Sequence, residues 1–76
     1  MKFKETSEGV FNYSDEKHFR FVIVNSFFNP NHKYKGETFT LTVGKPDYMF
    51  CIGDFYSFEY ARKAAENVQK IIHELI

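Results

Sequence analysis

Three features of the 76-residue sequence predict an α+β domain, an antiparallel β-meander of four to five strands with one C-terminal α-helix packed on one face. Apolar residues recur at three-and-four spacing over about 57–76, and apolar and polar residues alternate in short runs within about 2–52. The links between those runs are short and rich in turn formers. Parallel neighbours would need crossovers of about a dozen residues or more, so short links favour hairpins.

In chain order, Lys2–Lys4 is the weakest strand candidate, and Val10–Tyr13 can pair with it across Thr6-Ser7-Glu8-Gly9. Ser14-Asp15-Glu16-Lys17 supplies the next turn. His18–Phe28 reads as a longer strand, with Phe19, Phe21, Ile23 and Phe27 on one face and His18, Arg20, Val22, Val24 and Ser26 on the other. Asn29-Pro30-Asn31 ends it. Thr38–Val43 alternates Phe39, Leu41 and Val43 with Thr38, Thr40 and Thr42, as expected of a strand with one buried face. Beyond Gly44-Lys45-Pro46-Asp47, Tyr48, Phe50 and Ile52 oppose Met49 and Cys51, until Gly53 and Asp54 close the strand.

The helix has Phe58, Ala61, Ala64, Ala65, Val68, Ile71, Ile72 and Leu75 on its apolar stripe. Glu59, Arg62, Lys63, Glu66, Lys70, His73 and Glu74 fall on the other side. Ser57 is placed to cap it, and Glu59 and His73 suit the dipole at their respective ends. The alanines are small where helix and sheet must approach, leaving room for Phe rings. A bulky residue at Ala64 or Ala65 should overpack that contact and cost about 1–3 kcal/mol.

Residues 1–76 read as a single domain, with no internal repeat, low-complexity tract or linker. A chain of this size buries only about 60% of its unfolded surface, so its core must be efficient. Ten Phe and five Tyr provide that, making the chain 20% aromatic. Ten basic and ten acidic side chains cancel, which removes any global attraction to nucleic acid or an anionic membrane. Cys51 is the single cysteine, so no internal disulfide can form. Met1–Glu5 lacks the apolar centre of a secretory signal, and the longest aliphatic or aromatic run, Phe21–Val24, is far too short to span a bilayer. A soluble, cytoplasmic protein is expected.

A search for chemistry finds no constellation. Gly9, Gly36, Gly44 and Gly53 are isolated and form no phosphate loop, and His18, His32, His73 and Cys51 lack the paired spacing of a metal site. Asp47 and Asp54 stand at opposite ends of one strand, roughly 20 Å apart at about 3.3 Å per residue, too far for an acid–base pair. No catalytic residue, metal or cofactor is therefore expected, and an enzyme is not.

Two surfaces remain. On the sheet face away from the helix, Val22, Val24, Thr38, Thr40, Thr42 and Met49, with Cys51, form a low-charge plateau suited to a protein partner or a second copy. The alternative is a nucleic-acid contact through the basic, aromatic loop 29–35, using His32, Lys33, Tyr34 and Lys35 with Lys45.

Phe55-Tyr56-Ser57-Phe58-Glu59-Tyr60-Ala61-Arg62-Lys63-Ala64-Ala65 resembles the closing helix of double-stranded RNA-binding domains, which follows a meander and carries a serine, basic residues and paired alanines. That resemblance implies duplex RNA binding. It covers barely a quarter of the chain. The family also has a helix before its strands and lysines at the start of the last helix, where this chain has Phe58, Glu59 and Tyr60. The family is not assigned. The sequence reading is a non-catalytic interaction module, binding through its open sheet face or a sheet edge. Its small size and richness in Phe, Tyr, Asn, Lys and Ile are shared with many accessory or inhibitory proteins of phages and mobile elements.

Overall fold

The computed structural model describes residues 1–26 and 37–75. Among these, β1 (Lys4–Ser7), β2 (Val10–Ser14), β3 (Arg20–Asn25), β4 (Phe39–Lys45) and β5 (Tyr48–Phe55) form one antiparallel sheet, and α1 (Phe58–Leu75) packs against it. The strands lie in chain order, so each pairs with its sequence neighbour. This is the predicted meander closed by one helix.

Register explains the core. Phe21 faces Val43, Ile23 faces Leu41 and Asn25 faces Phe39, so the odd-numbered apolar residues of β3 and β4 line one side of the sheet. Ala61 and Ala65 of α1 close over them, and Phe21, Ile23 and Leu41 are fully buried. The helix begins among aromatic rings. Phe58 lies 5.8 Å from Phe3, 4.8 Å from Phe11 and 6.2 Å from Phe39, ring centre to ring centre. Those contacts bind the N-terminal segment, the sheet and the first helical turn into one apolar unit.

Local chemistry sets the element ends. Ser57 Oγ accepts from the Tyr60 N–H at 3.1 Å and the Ser57 carbonyl from the Ala61 N–H at 3.1 Å, which is the expected cap. Gly9 takes φ 76° in the first hairpin, where its N–H donates to Glu5 Oε2. Gly44 lets β4 and β5 approach, since a Cβ there would run into the Tyr48 carbonyl.

Every strand differs from expectation at an end: β2 runs on to Ser14, β3 spans Arg20–Asn25, and β4 spans Phe39–Lys45. β1 starts at Lys4 instead of Lys2, because Phe3 turns inward against Tyr13 and Phe58. His18 is not in β3; it has φ 68° in the turn before it. β5 continues past Ile52 to Phe55. A register shift leaves Ile52 without an opposite residue, after which Gly53 and Asp54 pair with Leu41 and Thr40, and the Thr40 hydroxyl donates to the Asp54 carboxylate. The expected strand ends at Phe27 and Phe28, and Ile76, lie outside the described residues.

Candidate functional site at the β5 edge

At about 100° per residue, the apolar stripe of α1 spans an arc of about 140°, and the direction midway between Ala61 and Ala65 lies about 30° to one side of its middle. Around the helix, Gln69, Arg62, His73 and Glu66 lie to one side of the two alanines, whereas Val68, Leu75, Ala64, Ile71 and Tyr60 lie to the other. The two flanks meet different surroundings.

The polar flank is closed by hydrogen bonds. Asp15, in the turn between β2 and β3, has no side-chain exposure. Its Oδ1 accepts from the Lys17 N–H at 3.0 Å and the Phe19 N–H at 2.9 Å, a local arrangement available to aspartate in a tight turn. Its Oδ2 lies 3.3 Å from Gln69 Nε2 and 3.1 Å from His73 Nε2, reaching the last turns of the helix. Burial pushes the Asp15 carboxyl up, but the donors from Phe19, His73, Gln69 and Lys17 outweigh it and hold the group below its ordinary value. Further up the helix, Arg62 pairs with Glu59 and Glu66, and the N-terminal amine of Met1 lies 3.7 Å from Glu66.

On the opposite flank, β5 is the last strand of the sheet, and among the described residues nothing pairs with its outer side. Tyr48, Phe50 and Ile52 point to the helix side of the sheet, as expected, yet they are 60%, 61% and 45% exposed. The helix packs most on β4 and equally on β3 and β5, yet it leaves these three side chains uncovered. A groove of about 450 Å³ runs between, lined by Phe19, Val43, Tyr48, Phe50, Val68 and Ile72 among others. On the same flank of the helix as Val68, Ile71 is 56% exposed and Leu75 80%. Tyr48 and Phe50 stack edge to face at 5.5 Å. The result is a continuous apolar surface beside an unpaired strand.

The sequence-predicted plateau also has its place. Val22, Val24, Thr40, Thr42 and Met49 share the face away from α1, adjoined by the exposed Cys51, and no described element covers it. Each of the five is only half exposed. Thr38 lies just before β4, where its N–H donates to Ser26 Oγ at 2.8 Å. Of the basic-loop residues, His32, Lys33, Tyr34 and Lys35 lie outside the described residues. Lys45 ends β4, at the opposite end of that strand from Phe39. Its amine donates to the Lys17 carbonyl at 2.6 Å and sits 4.2 Å from the centre of the Phe19 ring.

Cys51 and Asp54 are on β5, whereas the Asp15–His73 contact is on the far flank, so these groups are not brought together. Among the described residues, no three His, Cys, Asp or Glu side chains gather where they could hold a metal ion. No described helix is long and apolar enough to cross a membrane.

Sequence reasoning missed the exposure of Tyr48, Phe50 and Ile52, and also the Asp15 cluster. The off-centre apolar stripe carried part of the first signal. No spacing in the sequence announced the second, because Asp15 and His73 meet only in three dimensions. Compared with known proteins, the chain matches no family, no curated protein and no solved structure.

Proposed function

We propose that this chain is a small non-catalytic protein-interaction module that binds through the β5 edge and the apolar groove beside it. One observation carries the reading: a strand eight residues long, unpaired on its outer side among the described residues, bears exposed Tyr48, Phe50 and Ile52 in a groove that Val68 and Ile72 of the helix also line. An added strand satisfies the backbone groups of such an edge, and side chains seated in the groove supply desolvation energy and selectivity. The plateau of Val22, Val24, Thr40, Thr42 and Met49 is less exposed, and two of its five residues are threonines.

The test compares capture by the wild-type chain, Phe50→Lys and Val24→Lys, with circular dichroism showing that each variant folds. A protein held by wild type and Val24→Lys but lost on Phe50→Lys supports the edge. Loss on Val24→Lys with retention on Phe50→Lys moves the site to the plateau and overturns this reading.

A further inference from the structure

We infer that the occupant of the β5 edge is a second copy of this chain, joined by antiparallel β5–β5 pairing about a two-fold axis at Phe50. This rests on the reading of β5 as the binding edge and specifies what fills it.

Backbone geometry comes first. Lys45 and Tyr48 flank the two-residue Pro46-Asp47 hairpin and face one another. In such hairpins the flanking residues exchange hydrogen bonds, and the alternation that follows directs the N–H and C=O of Met49 and Cys51 away from β4. Two β5 strands related by a two-fold axis at Phe50 bring Met49 of one copy opposite Cys51 of the other, twice. Each outward group then gains a partner. Phe50 meets its own equivalent across the closer, non-hydrogen-bonded pair, and Tyr48 lies opposite Ile52 of the second copy.

Side chains agree with that placement. A two-fold axis perpendicular to the sheet continues it from one copy into the next and puts both helices on the same side. Tyr48, Phe50 and Ile52 of each copy then occupy the trench between the helices. β5 is uncharged between Asp47 and Asp54, and the helix flank over it, Tyr60, Ala64, Val68, Ile71 and Leu75, is uncharged as well. Among the described residues, Lys45 is the one charged residue lining the groove, and its amine is held by the Lys17 carbonyl over the Phe19 ring. The rest of the surface is apolar and complementary to itself. From their exposures, Tyr48, Phe50 and Ile52 would bury on the order of 300 Å² per copy. A stable interface needs roughly 800 Å² per partner. The helix flank and the strand backbone would have to supply the remainder.

The experiment measures mass in solution by sedimentation from about 1 µM to about 1 mM, a span that covers weak and moderate dimers. Wild type is expected to pass from monomer to dimer. Phe50→Lys sets two ammonium groups face to face at the axis and should weaken association at least about 100-fold. Val24→Lys should leave it unchanged. Register is read separately: Cys51→Ser with Phe50→Cys should cross-link under mild oxidation, and Cys51→Ser with Val24→Cys should not. Wild type that stays monomeric throughout the range overturns the second copy. If Phe50→Lys still abolishes capture of another protein, the edge itself survives as the binding surface. A dimer that Phe50→Lys leaves intact and Val24→Lys breaks overturns both.

Discussion

At one edge of the sheet, β1 has four residues, all polar and exposed, including Lys4 and Glu5, with its register broken between Glu5 and Ser7. At the other, β5 runs for eight residues with no lysine, arginine or proline. Short length, charge and a bulge are the means by which proteins discourage strand addition, and β1 uses all three. β5 has a register shift too, but it falls on the side facing β4 and leaves Tyr48 to Cys51 regular. The helix repeats the contrast. Its polar flank is tied to Asp15 and Met1, while its apolar flank overhangs a groove. One side of the molecule is closed by contacts within the chain, and the other leaves a long strand edge and its apolar side chains exposed.

By that contrast, the largest loss of stability should come from the closed flank. Asp15→Ala strips the acceptor from the backbone N–H groups of Lys17 and Phe19 and from the side chains of Gln69 and His73, at a site with no exposure. Stranding buried donors costs about 1–3 kcal/mol in mutational series, and here several are stranded together, so a loss of about 3 kcal/mol is expected in urea unfolding. The same variant should leave self-association untouched. A cost below about 1 kcal/mol would mean that the two flanks are held equally loosely.

The pH dependence sharpens the same point. Because the folded protein holds the Asp15 carboxyl below its ordinary value of 3.8, the folded state binds the proton less readily than the unfolded chain. The stabilisation from this group is fully present above that ordinary value. It is lost as pH falls through the lowered folded value. Thermal unfolding between about pH 6 and pH 2 should therefore show wild type losing more stability than Asp15→Asn over the acid end of the range. Parallel curves for the two proteins would remove the carboxylate from the account of the closed flank.

Why the sequence revealed one flank's architecture and not the other's chemistry follows from the range of the interactions. Alternation in Thr38–Val43 and helical spacing in Ser57–Ile76 are local, and both elements form near the expected positions. Ser57 caps one turn ahead, again a local contact. The Asp15–His73 contact joins residues 58 apart, and nothing in either neighbourhood requires the other. Tyr48, Phe50 and Ile52 alternate as core residues do, and they do face the helix side. Their exposure depends on where one helix lies across five strands. The alanines decided that: Ala61 and Ala65 settle among Phe21, Ile23 and Leu41, the largest fully buried side chains, and of β5 the helix covers the Phe55 end better than Tyr48, Phe50 and Ile52. For the plateau, period-two alternation correctly predicted which residues share a face, but not that close neighbours would leave Val22, Val24, Thr40, Thr42 and Met49 only half exposed.

The smallest effect on stability is expected on the open flank, and its smallness is informative. Ile71 and Leu75 are mostly exposed, so replacing both by Gln removes little burial from the isolated chain, and both sites keep a good helix former. At concentrations where the protein is monomeric, unfolding of this double variant should stay within about 0.5 kcal/mol of wild type, as for ordinary surface substitutions. Concentrated samples should behave differently, because any interface these residues help build stabilises the folded chain by mass action. A gap in unfolding midpoint between wild type and the variant that opens with protein concentration would place Ile71 and Leu75 in the interface. A gap of the same size at every concentration would instead make them part of the monomer's own core, and the groove beside the helix a packing defect without a partner.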